Sequence, residues 1–283
     1  MRPFVLLVIV LAFAQILVVT AKGQTNDNPF EMLESNLQIR GWEAVGRIDL
    51  ANAGFCTGAM ITDRLIVTAA HCLFHKQTGQ RFADDQIVFR AGFRNGRAAA
   101  EGYVRRSAVH PGYKPLGGTD VGNIAHDLAL IELIHPIRNM GIVPFDVTRQ
   151  PATGDKIGVV SYARGRADAP ALQEACDVLG NEGGNVVVMS CSVDFGSSGA
   201  PVFEFRHGKA QIVSVVSAKG EAKLDGQPMN VSFGVALGPK LDALRAALAQ
   251  NDRRFIAAPV VGTVPEGPRE MSAGGGARFL RPN

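Results

Sequence analysis

The sequence predicts an all-β fold of short antiparallel strands, a barrel or a sandwich, with a single helix near the C-terminus. Two observations carry this. Apolar runs rich in Val and Ile recur roughly every ten residues between turn signals. Helical periodicity is convincing only in Pro239–Gln250, where Pro239 suits a first helical turn and Leu241, Leu244 and Leu248 form an apolar stripe.

In chain order, residues 45–50 alternate apolar and polar side chains, as a half-buried strand does. Residues 55–61 make a second strand, Asp63-Arg64 a turn, and 65–70 a third strand that runs into His71-Cys72-Leu73-Phe74. Further strands are expected at 86–91, 102–110 and 128–133. Pro144–Asp155 reads as a crossing segment. After it come β-like runs at 156–162, 172–179, 185–191, 201–205, 211–218 and 230–236, with a polar loop expected between Arg164 and Pro170.

The ends differ in texture from this middle. Residues 1–21 read as a secretory signal: Arg2 opens it, an apolar stretch interrupted at Gln15 follows, and cleavage is expected after Ala21. The length of the apolar stretch leaves an uncleaved anchor as the alternative. Residues 22–41 form a polar N-terminal arm, 42–250 the folded domain, and 251–283 a Pro- and Gly-rich tail expected to be flexible. The formal net charge is +3 with no Lys/Arg-dense block, so nucleic acid is not an expected partner. Asn230-Val231-Ser232 is a glycosylation sequon, meaningful only in a eukaryotic secretory pathway.

Four cysteines, Cys56, Cys72, Cys176 and Cys191, imply two disulfides in an exported chain. Of the three possible connectivities, Cys56–Cys72 is the natural local pair, because one hairpin separates the two residues. His71, Cys72 and His75 lack the second paired cluster of a structural zinc site, so no metal is expected.

Three places could do chemistry. Gly196-Ser197-Ser198-Gly199 is a tight turn in which glycines let backbone N–H groups converge on one spot, which suits a nucleophilic hydroxyl beside an oxyanion hole. Taken alone, it is also what an ordinary hairpin connection looks like. His71 is delivered by an apolar strand to a loop that a disulfide at Cys72 would stiffen, as a positioned base requires. Asp127 stands at the mouth of the apolar run Leu128–Ile131, a costly place for an acid without a partner, and His71 would suit it. His126 is set aside because strand neighbours point to opposite faces, and His135 and His207 read as surface or packing residues.

Taken together, Thr68-Ala69-Ala70-His71-Cys72, His126-Asp127-Leu128-Ala129-Leu130 and Gly196-Ser197-Ser198-Gly199-Ala200-Pro201 resemble the signature blocks of the chymotrypsin/trypsin-like serine proteases, in that family's order. Cys56–Ile61, Val109–Tyr113, Gln211–Val215 and the helix from Pro239 resemble its supporting segments, so the likeness spans about 42–250. It implies two antiparallel six-stranded β-barrels with a C-terminal helix. Ser198 would then be the nucleophile, His71 the general base and acid, Asp127 the orienting acid, and the N–H groups of Gly196 and Ser198 the oxyanion hole.

The expected activity is that of a secreted or periplasmic serine endopeptidase. It would act on proteins or peptides as a monomer, without a cofactor and without stable membrane association once the signal is cleaved. The competing expectation is a catalytically impaired homologue that serves as a binding module.

The chain also departs from the animal members. Ser197 stands where they carry an Asp that receives a freed N-terminal ammonium, and no Ile-Val-Gly-Gly-type start occurs near 30–45. Both point to a bacterial-type member that is active without that switch. Cys191 is shifted, with Cys176 as its simple partner. The specificity pocket is expected to involve Ser192 and Asp194 at its base and Ser214 and Val215 on its wall.

Overall fold

The computed structural model describes residues 30–51, 53–224 and 227–256. The expected signal and the tail beyond Ile256 lie outside the described residues.

Strands β1 (Glu31–Met32), β2 (Val45–Leu50), β3 (Phe55–Met60), β4 (Leu65–Thr68), β5 (Ile87–Ala91), β6 (Ala100–Val109) and β7 (Ala129–Leu133) fill the first half, with one short helix, α1 (Val121–Ile124), before β7. Six of these strands close into an antiparallel barrel in the order β2-β3-β4-β7-β6-β5. Burial alternates along β2 and β5, whereas β3, β4 and β7 are buried almost throughout; Ile48, Val67, Phe89, Leu130 and Leu133 are wholly buried.

The second half holds β8 (Lys156–Ala163), β9 (Arg166–Glu182), β10 (Val186–Met189), β11 (Pro201–Arg206), β12 (Lys209–Leu224), β13 (Gln227–Ala236) and helix α2 (Gly238–Gln250). These six strands run β9-β10-β13-β12-β11-β8, and β8 pairs back onto β9, so they too form a ring. β1 adds to β9 at Ala171 and Leu172. Val159, Val187, Met189, Val202 and Val213 fill the interior. The all-β fold with a C-terminal helix is therefore as expected.

Two expectations change. The polar loop between Arg164 and Pro170 shrinks to a turn at Arg164-Gly165, and β9 already runs from Arg166. Hairpin pairing to β8 overrides the polar composition there, as strand context commonly does. The arm from residue 30 is also packed: Leu33 and Ile39 are buried, and the Leu33 N–H donates to the Pro170 carbonyl at 2.9 Å.

The two halves meet through an aromatic cluster. Trp42 lies edge-on to Phe203 with centroids 5.1 Å apart, and Phe145 lies 4.7 Å from the same ring. Burying side chains of this size is worth about 1.5–3 kcal/mol each. The crossing segment is tied on both sides, by Phe145 N–H to the Met60 carbonyl and Thr148 N–H to the Ile212 carbonyl, each at 2.9 Å. Helix α2 ends at Asn251 in the left-handed conformation. The chain then returns to the first barrel, where Ile256 bridges Ala108 and the Phe255 carbonyl accepts from the Val109 N–H, so the expected tail is anchored at Phe255 and Ile256.

Candidate active site

His71 sits in a 3-10 turn, Ala70–Leu73, that continues directly from β4. The neighbouring Cys72 is bonded to Cys56 of β3, which clamps the turn to the strand before it. Both sulfurs lie near the His71 ring, but as a disulfide they offer no thiolate to a metal. Asp127 arrives from the adjacent strand: it stands two residues before β7, whose Ala129 pairs with Thr68 of β4. The loop before it is held by Asn123, whose amide donates to the carbonyls of Lys114 and Gly118 and accepts from the Lys114 N–H. Asp120 caps α1 by accepting from the Asn123 N–H at 3.0 Å.

The two groups meet closely. Nδ1 of His71 donates to Oδ2 of Asp127 at 2.7 Å, and the His71 backbone N–H donates to Oδ1 at 2.8 Å. Asp127 is only 3% exposed, so its charge is held by hydrogen bonds rather than by water. The Ser217 hydroxyl donates to the same Oδ2. Tyr113 lines the cavity nearby, and burial together with the Asp127 charge raises its phenol well above the usual range, so it stays protonated.

Ser198 lies in the turn before β11, and the conformation of that turn depends on two glycines. Gly196 has φ +100° and Gly199 has φ +77°. A Cβ on Gly199 would come within 2.0 Å of the Thr68 hydroxyl and 2.3 Å of the Thr57 carbonyl, so no other residue fits without movement. Thr57 of β3 holds the turn from the first barrel: its N–H donates to the Ser198 carbonyl at 2.9 Å and its hydroxyl to the Gly196 carbonyl at 2.8 Å. Behind the turn, Ser197 is fully buried, its hydroxyl 3.2 Å from that of Ser161. The Arg166 guanidinium donates to the Ser161 carbonyl and hydroxyl, and more weakly to the Ser197 hydroxyl. Burial lowers Arg166 to about 10, still protonated at neutral pH.

A cavity of about 480 Å³ opens over these groups and is lined by His71, Asp127 and Ser198 together. Of the residues expected in the specificity pocket, Asp194 lines it, but Lys219 already donates to its carboxylate at 2.8 Å. That bond and one from the Phe195 N–H hold Asp194 below the usual carboxylate range. Ser192 faces a separate pocket, its N–H on the Gln173 side chain. Ser214 and Val215 are fully buried, and the Ser214 hydroxyl is spent on the Val235 carbonyl.

The wall they were expected to form is built by Val216, Ser217, Ala218 and Lys219. The cause is a bulge in the β12–β13 ladder between Val216 and Ala218, which leaves Ser217 unpaired and turned to the cleft. Sequence carries no mark of that bulge, so Ser217 was missed. Cys176 pairs with Cys191, tying β9 to the segment that leads into the serine turn. His126 turns away: its ring stacks on His110 at 4.7 Å and its Nδ1 donates to the Gly122 carbonyl.

Known proteins resemble the chain in sequence and in fold. A family model described as a trypsin-like peptidase domain matches residues 56–211, more than half of the chain and inclusive of all three candidate residues. A glutamyl endopeptidase of Bacillus licheniformis is 28% identical over 157 residues, 54% of this chain and 46% of that protein. Serine protease 23 of Bos taurus is 23% identical over 214 residues, and a trypsin of Sarcophaga bullata 31% identical over 124. The chain spans about half the length of the curated relatives it matches. A solved structure of a Glu endopeptidase shares the fold with a TM-score of 0.61 and 19% identity, over 80% of this chain and 99% of that one. The chain belongs to the family of trypsin-like peptidase domains.

Proposed function

We propose that this protein is an exported serine endopeptidase that works through His71, Asp127 and Ser198. The observation that carries the reading is the double grip of Asp127 on His71, at Nδ1 and at the backbone N–H, on the wall of a cavity that Ser198 shares. That grip fixes the tautomer with the proton on Nδ1 and leaves Nε2 as the base. Ser198 Oγ adds to the peptide carbonyl as Nε2 takes its proton, and the protonated imidazole then gives that proton to the departing amine. Water, activated by the same nitrogen, hydrolyses the acyl-enzyme.

The oxyanion donors would be the N–H groups of Gly196 and Ser198. Among the described residues neither is donated to a protein acceptor, whereas the N–H groups of Ser197 and Gly199 are bonded to the Asp194 and Val216 carbonyls. Nucleophile, base and oxyanion donors all come from the chain, so this mechanism calls on no cofactor. Arg166 lies behind the serine turn, close to Ser197, and supports a turn that is set without a freed N-terminal ammonium. Export rests on the expected signal and on two disulfides, which persist in oxidising compartments.

A fluorophosphonate probe should label the wild-type protein, and Ser198→Ala should lose both labelling and peptidase activity. Undiminished labelling of the Ala variant would overturn the assignment.

A further inference from the structure

Phe195, the residue before the serine turn's first glycine, carries an unusual load of positive charge. Its half-exposed ring has Arg164 at 4.5 Å, Lys76 at 4.9 Å and Lys219 at 5.1 Å from the centroid. Lys219 is neutralised by Asp194. Arg164 and Lys76 have no ion-pair partner among the described residues.

These two cations line a second cavity, about 540 Å³ in volume, that no residue of β12 lines; Lys76 lines the first cavity as well. Phe55, the Cys56–Cys72 disulfide and Phe74 line it, and so do His71 and Ser198. No Asp or Glu is among its lining residues. A peptide lying across Ser198 would place neighbouring residues on both sides, one over the β12 wall and one in this cationic cavity.

We propose that the disulfide-side cavity is a subsite for a carboxylate side chain of the substrate, Asp or Glu, recognised by Lys76 and Arg164. The inference rests on the peptidase reading above. The Phe195 ring holds both cations by their attraction to its face, so less side-chain freedom is lost when a carboxylate binds. Arg164 can offer two parallel N–H donors, and Lys76 a compact charge beside it.

The test uses quenched fluorescent peptides that differ only by Glu or Gln at each position on either side of the cleaved bond. At one position Glu should be preferred by about 3- to 10-fold in kcat/KM, the range that two exposed ion pairs supply, and 0.5 M NaCl should erode the preference. In the double variant Lys76→Gln/Arg164→Gln the Glu/Gln ratio at that position should fall to about 1, and Arg164→Glu should bring it below 1. Arg138→Gln removes an exposed charge that lines neither cavity, and should keep the wild-type ratio. A wild-type ratio near 1 at every position, or a preference that survives the double variant, overturns the subsite while cleavage and labelling of the wild type leave the peptidase reading intact. Absence of both labelling and cleavage overturns that reading, and the subsite with it.

Discussion

The two barrels hold their share of the site by different means. In the first, His71 and Asp127 are placed by side chains: a disulfide, the Asn123 bonds to its own loop and a carboxylate on two N–H groups. In the second, Ser198 is placed by backbone: two glycines in the left-handed region, with the turn's carbonyls answered by Thr57 and its back braced by Arg166 and Ser197. An acid–base pair can be held by hydrogen bonds to its own polar atoms. A nucleophile with N–H donors beside it cannot, because those donors must stay free for the substrate, so backbone conformation has to fix them.

This contrast can be broken one side at a time. The largest effect is expected from Asp127→Asn, which should reduce kcat on the order of 10⁴-fold, as in Ser-His-Asp triads generally, because the amide favours the wrong tautomer. Its thermal transition should stay close to wild type. A kcat within tenfold of wild type would show that the grip on His71 is structural only.

Arg166→Met should lower kcat about tenfold or more with little change in KM, since the turn that carries the proposed oxyanion donors loses its brace. Unaltered kcat would mean that the glycines and Thr57 suffice. Thr57→Val should cost about 1–3 kcal/mol in urea unfolding, because it removes the hydroxyl donor of the buried Gly196 carbonyl. A loss of activity larger than the loss of stability accounts for would place that bond in the oxyanion geometry.

The smallest effect concerns His110, which packs on His126 just before Asp127. Burial, followed by the nearby His126 and Lys240, lowers His110 from 6.5 to about 4. The folded protein keeps it neutral, whereas the unfolded chain takes up a proton below about 6.5, so stability is lost as the pH falls from 6.5 towards 4. The drop in urea midpoint between pH 7 and pH 5 should be smaller in His110→Gln. An equal drop in both proteins would remove His110 from the acid response.

Much of this was legible from local pattern. The twelve principal strands and the C-terminal helix follow apolar runs bounded by turn residues, and such a run is a short-range property. His71, Asp127 and the glycine turn stood out because each breaks the pattern of the strand it adjoins. The miss at Ser214 has a different origin. Ser214 and Ser217 are both serines on one strand; Ser217, at the bulge in pairing with β13, reaches the Asp127 carboxylate, while the Ser214 hydroxyl is spent on the Val235 carbonyl. The loop expected between Arg164 and Pro170 gives way for the same reason, because the strand there is set by the hairpin to β8 and by the Leu33 N–H on the Pro170 carbonyl.

The sequence by itself determined the strand texture, the all-β class, the identity of the three candidate reactive residues and the glycines their turn requires. Each is a matter of residue type at a position. The tertiary structure decided what depends on residues far apart in the chain: which serine meets Asp127, that Thr57 of one barrel holds the Ser198 turn of the other, and that Arg166 braces it. It also decided that Lys76 and Arg164, 88 positions apart, converge on one phenyl ring. Hydrogen-bond geometry and charge proximity arise only when the barrels close, and no local pattern encodes that closure.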